Sequence, residues 1–98
     1  MIVRIVKMSF EVSKIDVFLK NFNHNKDKIR TFEGCEFLEL YQDKTNSAIF
    51  FTYSYWKSEE DLERYRHSDL FKMVWAKTKP LFNAKPEAWT VDKVATLK

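Results

Sequence analysis

The sequence predicts an α+β domain with the element order β-α-β-β-α-β, an antiparallel sheet carrying two helices on one face. Three observations predict it. β-branched and aromatic runs fall at 2–10, 35–42, 47–56 and 87–95. Segments with apolar residues at helical spacing separate the first strand from the second and the third from the last. The turn-forming "DKTN" (43–46) joins the two middle strands.

Each element has its own local cause. "IVRIVKMSF" (2–10) is β-branched and free of turn residues, which suits a buried strand. Ser13 in "VSKID" is placed to cap a helix, with Asp16 three residues on as a capping-box variant. Ile15, Phe18, Leu19, Phe22, Ile29 and Phe32 then share a face, and the helix is expected to reach about residue 30. The asparagines of "NFNHNKDK" weaken its middle. Gly34, the only glycine, marks the exit. "CEFLELYQ" (35–42) alternates Cys35, Phe37, Glu39 and Tyr41 against Glu36, Leu38, Leu40 and Gln42, as a strand does. "SAIFFTYSYW" (47–56) is the strongest strand signal in the chain. Ser58 caps the next helix, and Glu59, Glu60 and Asp61 suit its positive end rather than forming a paired-carboxylate site. Leu62, Tyr65, Leu70, Phe71, Val74 and Trp75 carry its apolar face. Ser68 with Asp69 offers a second cap, so two helices can meet at His67. Pro80 ends the second piece. "EAWTVDKVA" (87–95) closes a ferredoxin-like arrangement.

A chain of 98 residues bounds the answer to a single domain, 1–98, small enough that a partner can complete its core. Aromatics at 16% with one Gly and two Pro exclude a disordered or loop-built protein. The net charge of +3 comes from dispersed residues, so it reads as a solvated surface and no nucleic-acid partner is expected. Cys35 is the single cysteine, which excludes an internal disulfide and a multi-cysteine metal site. With an acidic neighbour, Glu36, and no flanking base, it is not expected to be a nucleophile. A reducing, cytoplasmic setting is expected, without a signal peptide or membrane-spanning stretch.

The third strand points Phe50 to one side and Ile49, Phe51, Tyr53 and Tyr55 to the other. A two-layer sheet needs only one apolar face. The second face can therefore meet another copy, enclose a ligand or stack bases. RNA-recognition domains share the topology but want a basic-Gly start before the third-strand aromatics. "NSAIFFTYSY" has no such start, and "IVRIVKM" has no aromatic.

"YWKSEEDLERYRHSDLFKMVWAKTKPLF" (55–82), with Trp56 ending a strand, "KSEEDLERY" opening a helix and "SDLFK" starting the next, resembles the antibiotic biosynthesis monooxygenase superfamily. That resemblance implies a dimeric α+β barrel of ferredoxin-like subunits, a homodimer formed sheet to sheet, with a ligand cavity between each sheet and its own helices. The local wording is most similar to haem-degrading members, which use a helical histidine on iron, a tryptophan ten residues earlier and a first-strand asparagine. Tyr65 stands at that tryptophan's position and Trp75 at the iron ligand's; the first strand has no asparagine. An indole nitrogen only donates, so haem degradation by that route is not expected. The other enzymatic branch oxygenates polycyclic aromatics or quinols without metal, flavin or other cofactor. It needs an apolar slot and a polar group to stabilise the substrate anion.

Trp56, Tyr65, Phe71 and Trp75 are the candidate pocket residues, and Tyr65 and His67 the candidate catalytic groups. Tyr65 reads either as a core tyrosine or as a pocket hydrogen-bonder. His67 reads either as a general base or as a solvated or capping residue at a helix junction. His24 has less support, and the two histidines offer no metal pair. Trp56 is placed to plug the barrel mouth, while Phe51, Tyr53, Tyr55 and Trp89 are placed for the dimer interface. The expected function is cofactor-independent oxygenation of a small aromatic or quinol; a non-catalytic ligand-binding or stress-related module and a haem binder with altered ligation are the alternatives.

Overall fold

The computed structural model describes residues 1–98. β1 (Ile2–Ser9) is apolar on both sides and lies inside a four-stranded antiparallel sheet of order β2-β3-β1-β4. Its neighbours are β2 (Cys35–Gln42), β3 (Ile49–Trp56) and β4 (Glu87–Asp92). The register Arg4↔Ser54, Val6↔Thr52 and Met8↔Phe50 places Ile2, Arg4, Val6, Met8, Phe50, Thr52, Ser54 and Trp56 on one face. Helices α1 (Ile15–Arg30) and α2 (Glu59–Arg66) pack against that inner face, and α3 (Asp69–Thr78) packs on α1 and faces the sheet across a gap. The fold is the ferredoxin-like α+β arrangement, with its second helical segment split in two.

The split follows from capping. Ser58 accepts the Asp61 amide at the start of α2, and Ser68 accepts the Phe71 amide at the start of α3. Ser68 also donates to the Tyr65 carbonyl at 2.6 Å, tying the two pieces together. Pro80 sits in a short 3-10 turn, Lys79–Leu81, that ends α3.

Several boundaries differ from the sequence expectation for physical reasons. Ser13 caps nothing: a 3-10 turn, Val12–Lys14, is closed by the Lys14 amide on the Glu11 carbonyl, and α1 starts after it. α1 runs unbroken through its asparagines because the side-chain amide nitrogens of Asn21 and Asn25 find acceptors, although the buried Asn25 Oδ1 has none. Fully buried Asn25 donates to the Asn21 carbonyl at 2.9 Å, and Asn21 donates to Thr78 Oγ1 of α3 at 3.3 Å. A bulge between Cys35 and Phe37 breaks the alternation, so Cys35 turns inward beside Trp56 while Phe37 stays outside. β3 starts at Ile49 because the Ile49 amide closes the turn onto the Asn46 carbonyl. β4 ends at Asp92, not 95, because its partner strand ends there, at the Ile2↔Asp92 pair. No helix is long and apolar enough to cross a membrane.

Gly34 has φ +91° and delivers its carbonyl to the Lys57 amide at 2.9 Å. A β-carbon there would overlap the Asp61 side chain at the start of α2. Gly34→Ala is expected to lose at least about 1–3 kcal/mol from backbone strain alone, read as a lower urea midpoint with an unchanged slope.

Candidate functional site

The inner face of β3 reads large, small, small, large: Phe50, Thr52, Ser54, Trp56. Around Phe50, one core cluster gathers Met8, Phe10, Phe18 and Leu81. Around Trp56, a second gathers Ile2, Cys35 and Leu62. Between them, over Thr52 and Ser54, the helices do not reach the sheet, and a cavity of about 210 Å³ remains. Its volume exceeds the ~150 Å³ that holds a benzene ring.

Helices α2 and α3 supply most of the far wall. Tyr65 stacks on Trp56 (centroids 4.9 Å), Phe71 meets Tyr65 edge-on (5.2 Å), and Trp75 lies parallel to Phe71 (6.0 Å). Phe82 continues the series from Trp75 (5.5 Å) to Phe10 (5.2 Å), so aromatic contacts link the two clusters along the cavity. The structure thus brings Trp56, Tyr65, Phe71 and Trp75 together on one chamber. Trp56 is almost wholly buried, its indole N–H held by Ser54 Oγ at 3.0 Å.

Tyr65 supplies a polar group that the protein leaves free. It lines the cavity, it is mostly buried, and its hydroxyl makes no hydrogen bond to the protein. Burial, and secondarily the nearby Cys35, pushes the phenol well above its usual range, so it stays a donor at neutral pH.

His67 lies elsewhere. It is the C-cap of α2, with its side chain 77% exposed and its Nδ1 2.8 Å from the Glu63 carbonyl. It does not line the cavity, nor does His24 on the exposed side of α1. Cys35 is buried, and that burial pushes its thiol up. No group of three or more His, Cys, Asp or Glu stands ready for a metal ion. The chamber offers no imidazole, and the Trp75 indole cannot accept a bond to iron, so these residues do not fit a haem held by histidine.

The lining residues that the sequence did not single out include Arg4, Thr52 and Ser54 on the sheet and Arg66 at the end of α2. For Thr52 and Ser54 the signal was alternation; for Arg4 it needed the strand pairing. Arg4 shares parity with Ile2, Val6 and Met8, and Thr52 and Ser54 share it with Phe50 and Trp56. Polar or small residues on a buried face mark the place where the core is hollow.

Sheet, helices and chamber together define a small α+β domain built around a ligand-sized apolar pocket. The chain belongs to the antibiotic biosynthesis monooxygenase family, whose model matches residues 1–76. Solved structures share the fold at low identity. A crystal structure of an antibiotic biosynthesis monooxygenase superposes with TM-score 0.91 at 17% identity, covering 97% of this chain and 100% of its own. A conserved protein from Methanosarcina mazei Go1 gives 0.88 at 23%, covering 95% and 93%. Rv0793 from Mycobacterium tuberculosis gives 0.89 at 12%, covering 99% and 98%. No curated protein matches the chain.

The hollow over Thr52 should be open to filling. Thr52→Leu is expected to stabilise the protein by about 0.5–1 kcal/mol, in the range of cavity-filling changes, read as a higher melting temperature. A lower one would mean that the space is not there.

Proposed function

We propose that the chain is a monooxygenase that oxygenates an aromatic or quinol substrate inside this cavity, with no metal or flavin. The observation that carries the reading is Tyr65, mostly buried and with its hydroxyl unpaired within the protein, lining a chamber walled by Trp56, Phe71 and Trp75. In such chemistry the deprotonated substrate is itself the reductant. It passes an electron to O₂; one oxygen atom enters the ring and the other leaves as water. The protein must seat a flat apolar molecule, exclude water and stabilise the substrate anion. The aromatic walls meet the first two needs. Tyr65, kept protonated by burial, donates its hydrogen bond to the substrate oxyanion. His67, outside the chamber, is given a capping duty only.

Membership of the family and the composition of the cavity both support this reading. A non-catalytic binding module would use the same cavity, and oxygen consumption separates the two. With a naphthohydroquinone as substrate, oxygen uptake above the uncatalysed rate is expected. Tyr65→Phe should lower kcat by about a hundredfold, the size of losing one oxyanion donor, with little change in KM, while His67→Ala keeps its rate. Binding of the hydroquinone without oxygen uptake would leave the binding module in place.

The outer sheet face supports a homodimer. Phe37, Tyr53 and Tyr55 form a ring ladder there with centroids 4.7–6.3 Å apart. Trp89, opposite Ile5 on the same face, is 45% exposed. A face of this kind suits an isologous contact with a second copy. Light scattering at micromolar concentration should report a dimer, and Tyr53→Lys should shift it to monomer; a wild-type monomer would remove the proposal.

A further inference from the structure

Arg4 is the only inward-facing charge among the sheet residues that line the cavity. Glu87 also touches the rim, but it alternates to the outer face, where its carboxylate approaches Lys7 at 4.0 Å. Arg4 is half-buried, and Nη1 donates to Thr90 Oγ1 at 2.8 Å. No carboxylate lies within ion-pair distance of it. A guanidinium carries five N–H donors, so most of this fork has no protein acceptor.

A second arginine lines the same cavity. Arg66, at the end of α2, holds Glu63 at 2.7 Å, and that carboxylate also faces His67 at 3.7 Å. Burial first, and then the positive charge of Arg66, pull the Arg4 guanidinium below its usual range; Glu63 opposes them only in part. A cation set at the edge of an apolar chamber, beside a like charge and without a counter-ion, is unfavourable in the free protein. A bound anion relieves both penalties, and a planar fork matches a carboxylate with two parallel hydrogen bonds.

We propose that the ligand is an aromatic acid, its ring held against Phe71 and Trp75 and its carboxylate held by Arg4 with support from Arg66. The inference rests on the reading of the cavity as a ligand site and adds the class of ligand. It also fixes an orientation. The carboxylate takes the arginine side of the chamber, and a ring hydroxyl is left for Tyr65.

The test compares 2-naphthoate with the neutral 2-naphthamide and 2-naphthol, each titrated into the wild-type protein and followed by tryptophan fluorescence. 2-Naphthoate is expected to bind about tenfold or more tightly than the amide, as a charge-assisted bond should give. Only the 2-naphthoate affinity should fall as salt is raised. Arg4→Gln should cost 2-naphthoate far more than the amide and bring the two affinities together, and Arg4→Lys should restore part of the difference. Equal wild-type affinities for acid and amide, or an Arg4→Gln variant that weakens both alike, would overturn the anion site. Binding of 2-naphthol without 2-naphthoate would overturn it too, with the cavity reading intact. Failure of all three probes to bind would remove the cavity reading and this inference together.

Discussion

The spacing of large and small side chains along the inner face of β3 is the constraint on which the rest of the molecule depends. Phe50 and Trp56 stand at its two ends and each anchors a packed cluster. Thr52 and Ser54, between them, are too short to touch the helices across the gap. The clusters act as two pillars that hold the helices off the sheet, and the interval stays open as the cavity. Packing of this kind forgoes dispersion contacts along the hollow, so the arrangement is less stable than a filled one.

The second constraint is the interruption between α2 and α3. A continuous helix from Glu59 to Thr78 would carry its apolar stripe straight past the cavity. The Ser68 cap and the extended backbone there (φ −76°, ψ 157°) let α3 leave in a new direction. The aromatic residues on either side of the break, Tyr65 before it and Phe71 and Trp75 after it, then face one chamber. His67 occupies the hinge itself, where its Nδ1 meets the Glu63 carbonyl that the end of the helix exposes. Its position explains why the residue that draws the eye in the sequence lies outside the pocket, while its neighbour two places earlier lies within it.

Much of the fold was legible because local signals agreed with one another. β2 matched its expected bounds, the hairpin and both serine caps of the second helical segment are present, and the break at His67 fell where Ser68 and Asp69 announced it. The departures came where tertiary contacts outweigh local pattern. Asparagines that disfavour a helix interior are tolerated in α1 because Asn21 reaches across to Thr78. Cys35 left its alternating face because a bulge is invisible to a period of two. In the site, the aromatic walls were readable from helical spacing and family likeness. Arg4 was not, because a strand of Ile, Val and Met reads as uniformly buried until its pairing shows which parity faces the helices. The outer face was readable as apolar. That Trp89, Tyr41 and Val91 stay 41–47% exposed on the subunit depends on the absence of any helix on that side.

The space between the two clusters is proposed to receive a flat aromatic ring with its oxygen at Tyr65. The most direct measurement is a crystal structure of the protein grown with 1-naphthol. The ring is expected between Phe71 and Trp75 on one side and Thr52 and Ser54 on the other, its oxygen within hydrogen-bond distance of Tyr65 Oη. A chamber closed by Trp75 against Thr52, with the ring absent or bound only on the outer sheet face, would contradict it.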